Sequence, residues 1–137
     1  MISETPPSKQ LLRVVAAVIE SEGRYLITQR RGVAVLPLLW EFPGGRVEAG
    51  ETDQLALQRE VEHRIGVNVR VGKLISFVRH EYERYTVDLH LYDCAVESGT
   101  PQCRNVNDFR WVGSSEFDAY PFTPADEASV ALLLGIQ

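Results

Sequence analysis

A chain of 137 residues, 45% of them hydrophobic, is the size of one compact domain with an ordinary core. Nineteen acidic against fourteen basic residues give a formal net charge of −5, which excludes the broad basic footprint that a nucleic-acid polymer requires. The apolar run 11–19 is too short to span a bilayer and carries Arg13, so no membrane partner is expected and a cytoplasmic location is.

Residues 1–10, with Pro6 and Pro7 among polar neighbours, are predicted to be a flexible N-terminal segment, and 11–137 the folded domain. Residues 11–20 and 24–30 are β-rich runs separated by Ser21, Glu22 and Gly23, which predicts a hairpin. A loop is expected over 31–39, then a short strand over 39–42. The following Pro43, Gly44 and Gly45 are read as a stretch whose backbone most residues could not adopt.

Thr52 can cap a helix, Leu57, Val61 and Ile65 give it a buried stripe at four-residue spacing, and Gly66 can end it, so a helix is predicted over 53–65. Residues 67–78 and 84–96 are expected as two long strands, with a turn at 97–101 closing that hairpin or its neighbour. Residues 109–112 are expected as a short strand, and Pro124 starts a last helix reaching about Leu134. Cys94 and Cys103 have no metal-ligand spacing and are read as plain thiols; His80 and His90 fall in strand-like runs as core or cross-strand residues.

From Gly45 to Val67 the sequence is GRVEAGETDQLALQREVEHRIGV. Its spacing resembles the Nudix box, G-x5-E-x7-R-E-U-x-E-E-x-G-U with U apolar: Gly45, Glu51, Arg59, Glu60, Val61, Gly66 and Val67 fall on motif positions. The stretches RVVAAVIE, LWEFPGGRVE, RWV and YPFTPADE are similar to the MutT-related branch, so the resemblance covers nearly the whole chain. It implies an α+β fold, the Nudix α/β/α sandwich around a mixed sheet.

Members of this kind hydrolyse nucleoside triphosphates to the monophosphate and pyrophosphate with Mg²⁺ or Mn²⁺, hard cations that take oxygen ligands. The resemblance therefore implies Glu51 and Glu60 as catalytic and metal-holding carboxylates, the Gly44 carbonyl as a further metal ligand, and Arg59 as the residue orienting a box glutamate. The implied partner is a nucleoside triphosphate or a related nucleotide.

The sequence departs from the pattern where the box has two adjacent glutamates: His63 and Arg64 stand there. Glu62 lies about 200° round a helix from Glu60 and is read as a solvated charge. A further family acid, six positions before Trp111, is Asn105, with Glu81, Glu83 or Asp108 as candidate deputies. A guanidinium left roughly 5 Å from a divalent ion would cost about 6 to 7 kcal/mol at an effective dielectric near 20 unless it swung clear. Metal binding is accordingly expected to be weak if it occurs; His63 is read as a surface histidine, which as a ligand would suit Mn²⁺ better than Mg²⁺.

For the base, Asp126 at the start of the last helix resembles the CTP pyrophosphohydrolase relatives, since a carboxylate accepts from the exocyclic amine of cytosine; otherwise it serves the helix dipole. Arg30, Phe42 and Trp40 are the other candidate substrate-binding residues; Arg30 with the adjoining Arg31 is otherwise a solvated pair, and Phe42 and Trp40 are otherwise core. Two functions are expected: a MutT-like pyrophosphohydrolase with weak or lost hydrolysis, or a non-catalytic nucleotide-binding or regulatory module. An interaction protein without a ligand follows if Trp40, Phe42 and Asp126 line no cavity.

Overall fold

The computed structural model describes residues 9–135, so the flexible segment expected over 1–10 falls almost wholly outside the described residues. Among the described residues, no helix is long and apolar enough to cross a membrane.

Strand β1 (Gln10–Ser21) buries both faces over 15–19. Val15, Ala17 and Ile19 pack on one side of the sheet and Ala16 and Val18 on the other, which accounts for the unbroken apolar run. It turns through Glu22 and Gly23, both at positive φ, into β2 (Arg24–Gln29), the hairpin that the turn residues predict. After the loop come β3 (Trp40–Glu41) and β4 (Gly44–Arg46), the latter antiparallel to β1.

Helix α1 (Asp53–Ile65) has the predicted bounds. Thr52 Oγ1 accepts from Leu55 N, and Gly66 takes the left-handed conformation that closes it. Leu57, Val61 and Ile65 are fully buried against the Val15 face of the sheet. Strands β5 (Asn68–Glu81) and β6 (Tyr85–Ser98) form an antiparallel hairpin, and β6 lies parallel to β1. Strand β7 (Asp108–Gly113) pairs with β2; a 3-10 turn (Ser114–Ala119) leads to α2 (Pro124–Leu134), which packs on the opposite face from α1. The result is a mixed seven-stranded sheet between helices.

Two expectations are corrected. The hairpin of β5 and β6 turns at 82–84, where Tyr82 N donates to Tyr85 O, and the 97–101 segment instead leads off β6 toward the C-terminal end of α1. Gly44 and Gly45 are not in the left-handed region. They are glycines for lack of space: a methyl on Gly44 would strike the Val15 carbonyl, and one on Gly45 would strike the Glu60 carboxyl. Close approach of β4 to β1 at Gly44 and to α1 at Gly45, rather than an unusual backbone, is what this pair permits.

Candidate functional site

Three adjoining hollows run across one end of the sheet. The largest, about 440 Å³, lies between β1, β6, the loop after β2 and the start of α2, with Asp126, Glu41, Arg30, Tyr82 and Tyr85 in its wall. A smaller one of about 150 Å³ includes Phe42, Gly44, Gly45, Glu41 and Arg64. The third, about 260 Å³, is bounded by Arg30, Arg31, Glu60, His63, Arg64 and Asn105. Arg30 borders all three and Arg64 two, so they form one cleft from α2 to α1.

At the α2 end, Asp126 is buried, with 6% of its surface exposed. Its Oδ1 accepts from Phe42 N at 3.0 Å and its Oδ2 from the Thr123 hydroxyl at 2.6 Å. Thr123 caps the helix, so the first turn of α2 and the end of β3 are tied through this one carboxyl. Burial, followed by the charge of Glu41, pushes the Asp126 carboxyl up to about 7. Burial also raises Glu41, against the pull of Arg30 and then Arg64. Two guanidiniums pair with Glu41 and none pairs with Asp126.

At the α1 end, carboxylates and guanidiniums alternate. Arg59 binds Glu51 through Nε at 2.7 Å and Nη2 at 2.8 Å, reaches Glu60 through Nη1, and donates to the Arg46 carbonyl at 2.9 Å. This holds the loop before α1 onto the helix. Its hydrogen bonds, then that from Glu48 N, hold the Glu51 carboxyl down at about 2. Arg64 does not swing clear: its Nε lies 2.9 Å from Glu60 Oε2, and its Nη1 lies 3.5 Å from Glu41 Oε2. Arg30 Nη1 closes the row 3.1 Å from Glu41 Oε1.

Glu41 is a carboxylate that sequence reasoning missed. Its signal was an acid between Trp40 and Phe42 in a strand otherwise aromatic, where alternation turns it away from its neighbours and toward the cleft. Trp40, expected at the pocket, borders none of the three hollows. It is buried edge-on against Tyr120, with ring centroids 5.0 Å apart, because β3 faces it toward the segment that follows the 3-10 turn. Phe42 packs against Phe117 and Phe122 and contributes its backbone N–H to Asp126.

Glu62 pairs with Arg104 at 2.8 Å on the exposed side of α1. Asn105 Nδ2 donates to the His63 carbonyl at 2.8 Å and its backbone N–H to Arg64 O at 3.0 Å, so it serves the C-terminus of the helix. An acid there would lack the amide donor. Asp108 bonds Arg110, and Glu81, Glu83 and Asp108 border none of the three hollows.

These side chains do not fit a divalent cation as they stand. Glu41, Glu51 and Glu60 are each engaged by a guanidinium, and among the described residues no group of three or more His, Cys, Asp or Glu could hold a metal ion. Hard cations need oxygen ligands with unspent negative charge. Gly44 could add a carbonyl but no charge.

The model of the NUDIX domain matches residues 14–132. The chain belongs to the Nudix family. It is 34% identical over 127 residues to the CTP pyrophosphohydrolase of Escherichia coli K12, covering 90% of this chain and 94% of that protein. It is 33% identical over 127 residues to an 8-oxo-dGTP diphosphatase of Haemophilus influenzae, covering 92% of this chain and 93% of the other. Among solved structures, the solution structure of the E. coli ORF135 protein superposes with a TM-score of 0.79 at 31% identity, covering 93% of this chain and 91% of that one. A MutT Nudix hydrolase from Burkholderia pseudomallei gives 0.81 at 23% identity, covering 91% and 99%, a likeness of fold alone. The α/β/α Nudix architecture implied by the box is the one observed.

Proposed function

We propose that this Nudix domain binds a nucleoside triphosphate along the cleft, base toward Asp126 and phosphates toward α1, and that its pyrophosphohydrolysis is weak or lost. The relatives named above as a CTP pyrophosphohydrolase and an 8-oxo-dGTP diphosphatase support the substrate class. The observation that carries the loss is the Arg64 guanidinium lying between Glu60 and Glu41.

Under this reading Asp126 and the start of α2 hold the base edge, with Arg30 beside it. Phe42 fixes Asp126 through its backbone N–H, and Trp40 supports the pocket only from behind. Glu51, Glu60 and Arg59 keep the positions of catalytic groups but are spent on one another, so they shape the wall instead of activating water. A metal site at Gly44, Glu51 and Glu60 would require Arg64 to leave.

The test is phosphate release from a panel of CTP, GTP, ATP and dGTP with Mg²⁺ or Mn²⁺, for the native chain and a His63→Glu, Arg64→Glu variant, beside equilibrium nucleotide binding. The native chain is expected to bind yet turn over at least a hundredfold more slowly than the variant, about 2.7 kcal/mol of barrier. Native turnover as fast as that of the variant would overturn the proposal.

A further inference from the structure

We propose that the hollow lined by Arg30, Arg31, His63 and Arg64 binds the polyphosphate of a nucleotide directly, arginine donors replacing divalent cations, so that binding needs no metal. The proposal rests on the nucleotide-binding reading above and specifies how its charged end is held.

The first reason is the count of donors left over. Arg64 spends Nε on Glu60 and Nη1 on Glu41; Arg30 spends Nε on the Val35 carbonyl, at 2.6 Å, and Nη1 on Glu41. Among the described residues, neither Nη2 has a protein acceptor and Arg31 forms no ion pair. A guanidinium offers five N–H groups in a rigid fork, so each of these side chains retains donors for phosphate oxygens.

The second reason is preorganisation. Arg30 and Arg64 are held from behind by Glu41, and Arg64 also by Glu60. Their side chains are 23% and 25% exposed, so their ordering cost is largely met before a ligand arrives. Arg64 bridges two carboxylates four and twenty-three residues away, which fixes its guanidinium in place.

The third reason is charge. Three arginines and His63 line this hollow against Glu60, with Glu41 behind Arg30 and Arg64, so the arginines exceed the carboxylates they meet by one, Arg31. The hollow opens through Arg30 onto the larger one that holds Asp126, so a phosphate chain seated here places its nucleoside toward the buried carboxyl.

A site of this kind reverses the usual effect of magnesium. Mg²⁺ bound to a free nucleotide neutralises the oxygens that the arginines read, and therefore weakens binding. At a carboxylate site the same ion is the bridge without which the phosphates are repelled.

The test is calorimetric titration of the full chain with CTP and with inorganic tripolyphosphate, each in EDTA and in excess Mg²⁺. The native chain is expected to bind both in EDTA and more weakly in Mg²⁺. Arg31→Ala, at an exposed position, is expected to lower both affinities about tenfold in EDTA, the loss of one charge-assisted contact. The His63→Glu, Arg64→Glu variant is expected to lose binding in EDTA and regain it with Mg²⁺; its thermal transition and that of Arg31→Ala report whether the fold is retained.

CTP bound by the native chain only when Mg²⁺ is present would overturn the arginine site while leaving nucleotide binding intact. Tripolyphosphate bound in EDTA, with CTP no tighter, would support the arginine site and remove the base-reading role of the α2 end. No binding of either ligand in either condition would overturn both.

Discussion

At the α2 end of the cleft, one buried carboxyl is held by two neutral donors, Phe42 N–H and the Thr123 hydroxyl. At the α1 end, Glu41, Glu51 and Glu60 are matched one for one by Arg30, Arg59 and Arg64. Under the proposed reading, the difference separates recognition from chemistry. A carboxyl that reads a base needs only to be placed, and at Asp126 local caps and strand ends do so. A metal site needs an excess of negative charge, and exchanging two acids for His63 and Arg64 removes that excess while the helix carrying it stays intact.

The largest expected effect is at the junction of the two ends. Glu41→Ala would leave Arg30 without a carboxylate partner and Arg64 with Glu60 alone, and is expected to cost about 3 to 5 kcal/mol of stability, read from denaturant midpoints. A loss under about 1 kcal/mol would mean that the arginines are solvated and the row is not a unit.

Next is Asp126→Asn. A carboxyl raised to about 7 in the folded chain contributes stability fully present below its unfolded value, about 3.9, and lost as pH rises through 7. The native chain should therefore melt lower at pH 8 than at pH 5, and the amide variant should flatten that slope. Glu51, held at about 2, contributes nothing to the pH 5 to 8 window; its stabilisation is complete above its unfolded value and is lost only as pH falls toward 2. A native slope that survives in the amide variant would place the titrating group elsewhere.

Smaller still is Asn105→Asp, which removes the donor to the His63 carbonyl and adds a negative charge at the helix C-terminus, an expected loss of about 1 kcal/mol. The least effect belongs to Glu62→Gln on the exposed face of α1. Its pair with Arg104 is expected to contribute under about 1 kcal/mol, and a larger loss would show that the outer face of the helix is not merely solvated.

The helix bounds, the β1–β2 hairpin and the closing α2 were legible because their signals are local: a capping Thr52, a stripe at helical spacing, Gly66, a turn, a Pro at the first helical position. Strand β4 was not, because three residues held only by pairing to β1 have no period to read. The parallel pairing of β1 with β6, some seventy-five residues apart, has no local trace either. In the site, the box positions of Glu51, Arg59 and Glu60 and the intrusion of Arg64 were readable from spacing. Glu41 was hidden in an aromatic strand, Trp40 was set by the packing of β3 against Tyr120, and the reason for two glycines lay across the fold at Val15 and Glu60.

The central claim is that Arg64 and the matched charges around it exclude a divalent ion. Titration of Mn²⁺ into the chain without nucleotide, following the electron paramagnetic resonance signal of the free ion, tests it directly, with the His63→Glu, Arg64→Glu variant in parallel. The account predicts that the native chain leaves the signal of micromolar Mn²⁺ unchanged and that the variant depletes it. Micromolar binding by the native chain, lost on Glu60→Gln, would contradict it and return the carboxylates of α1 to a metal.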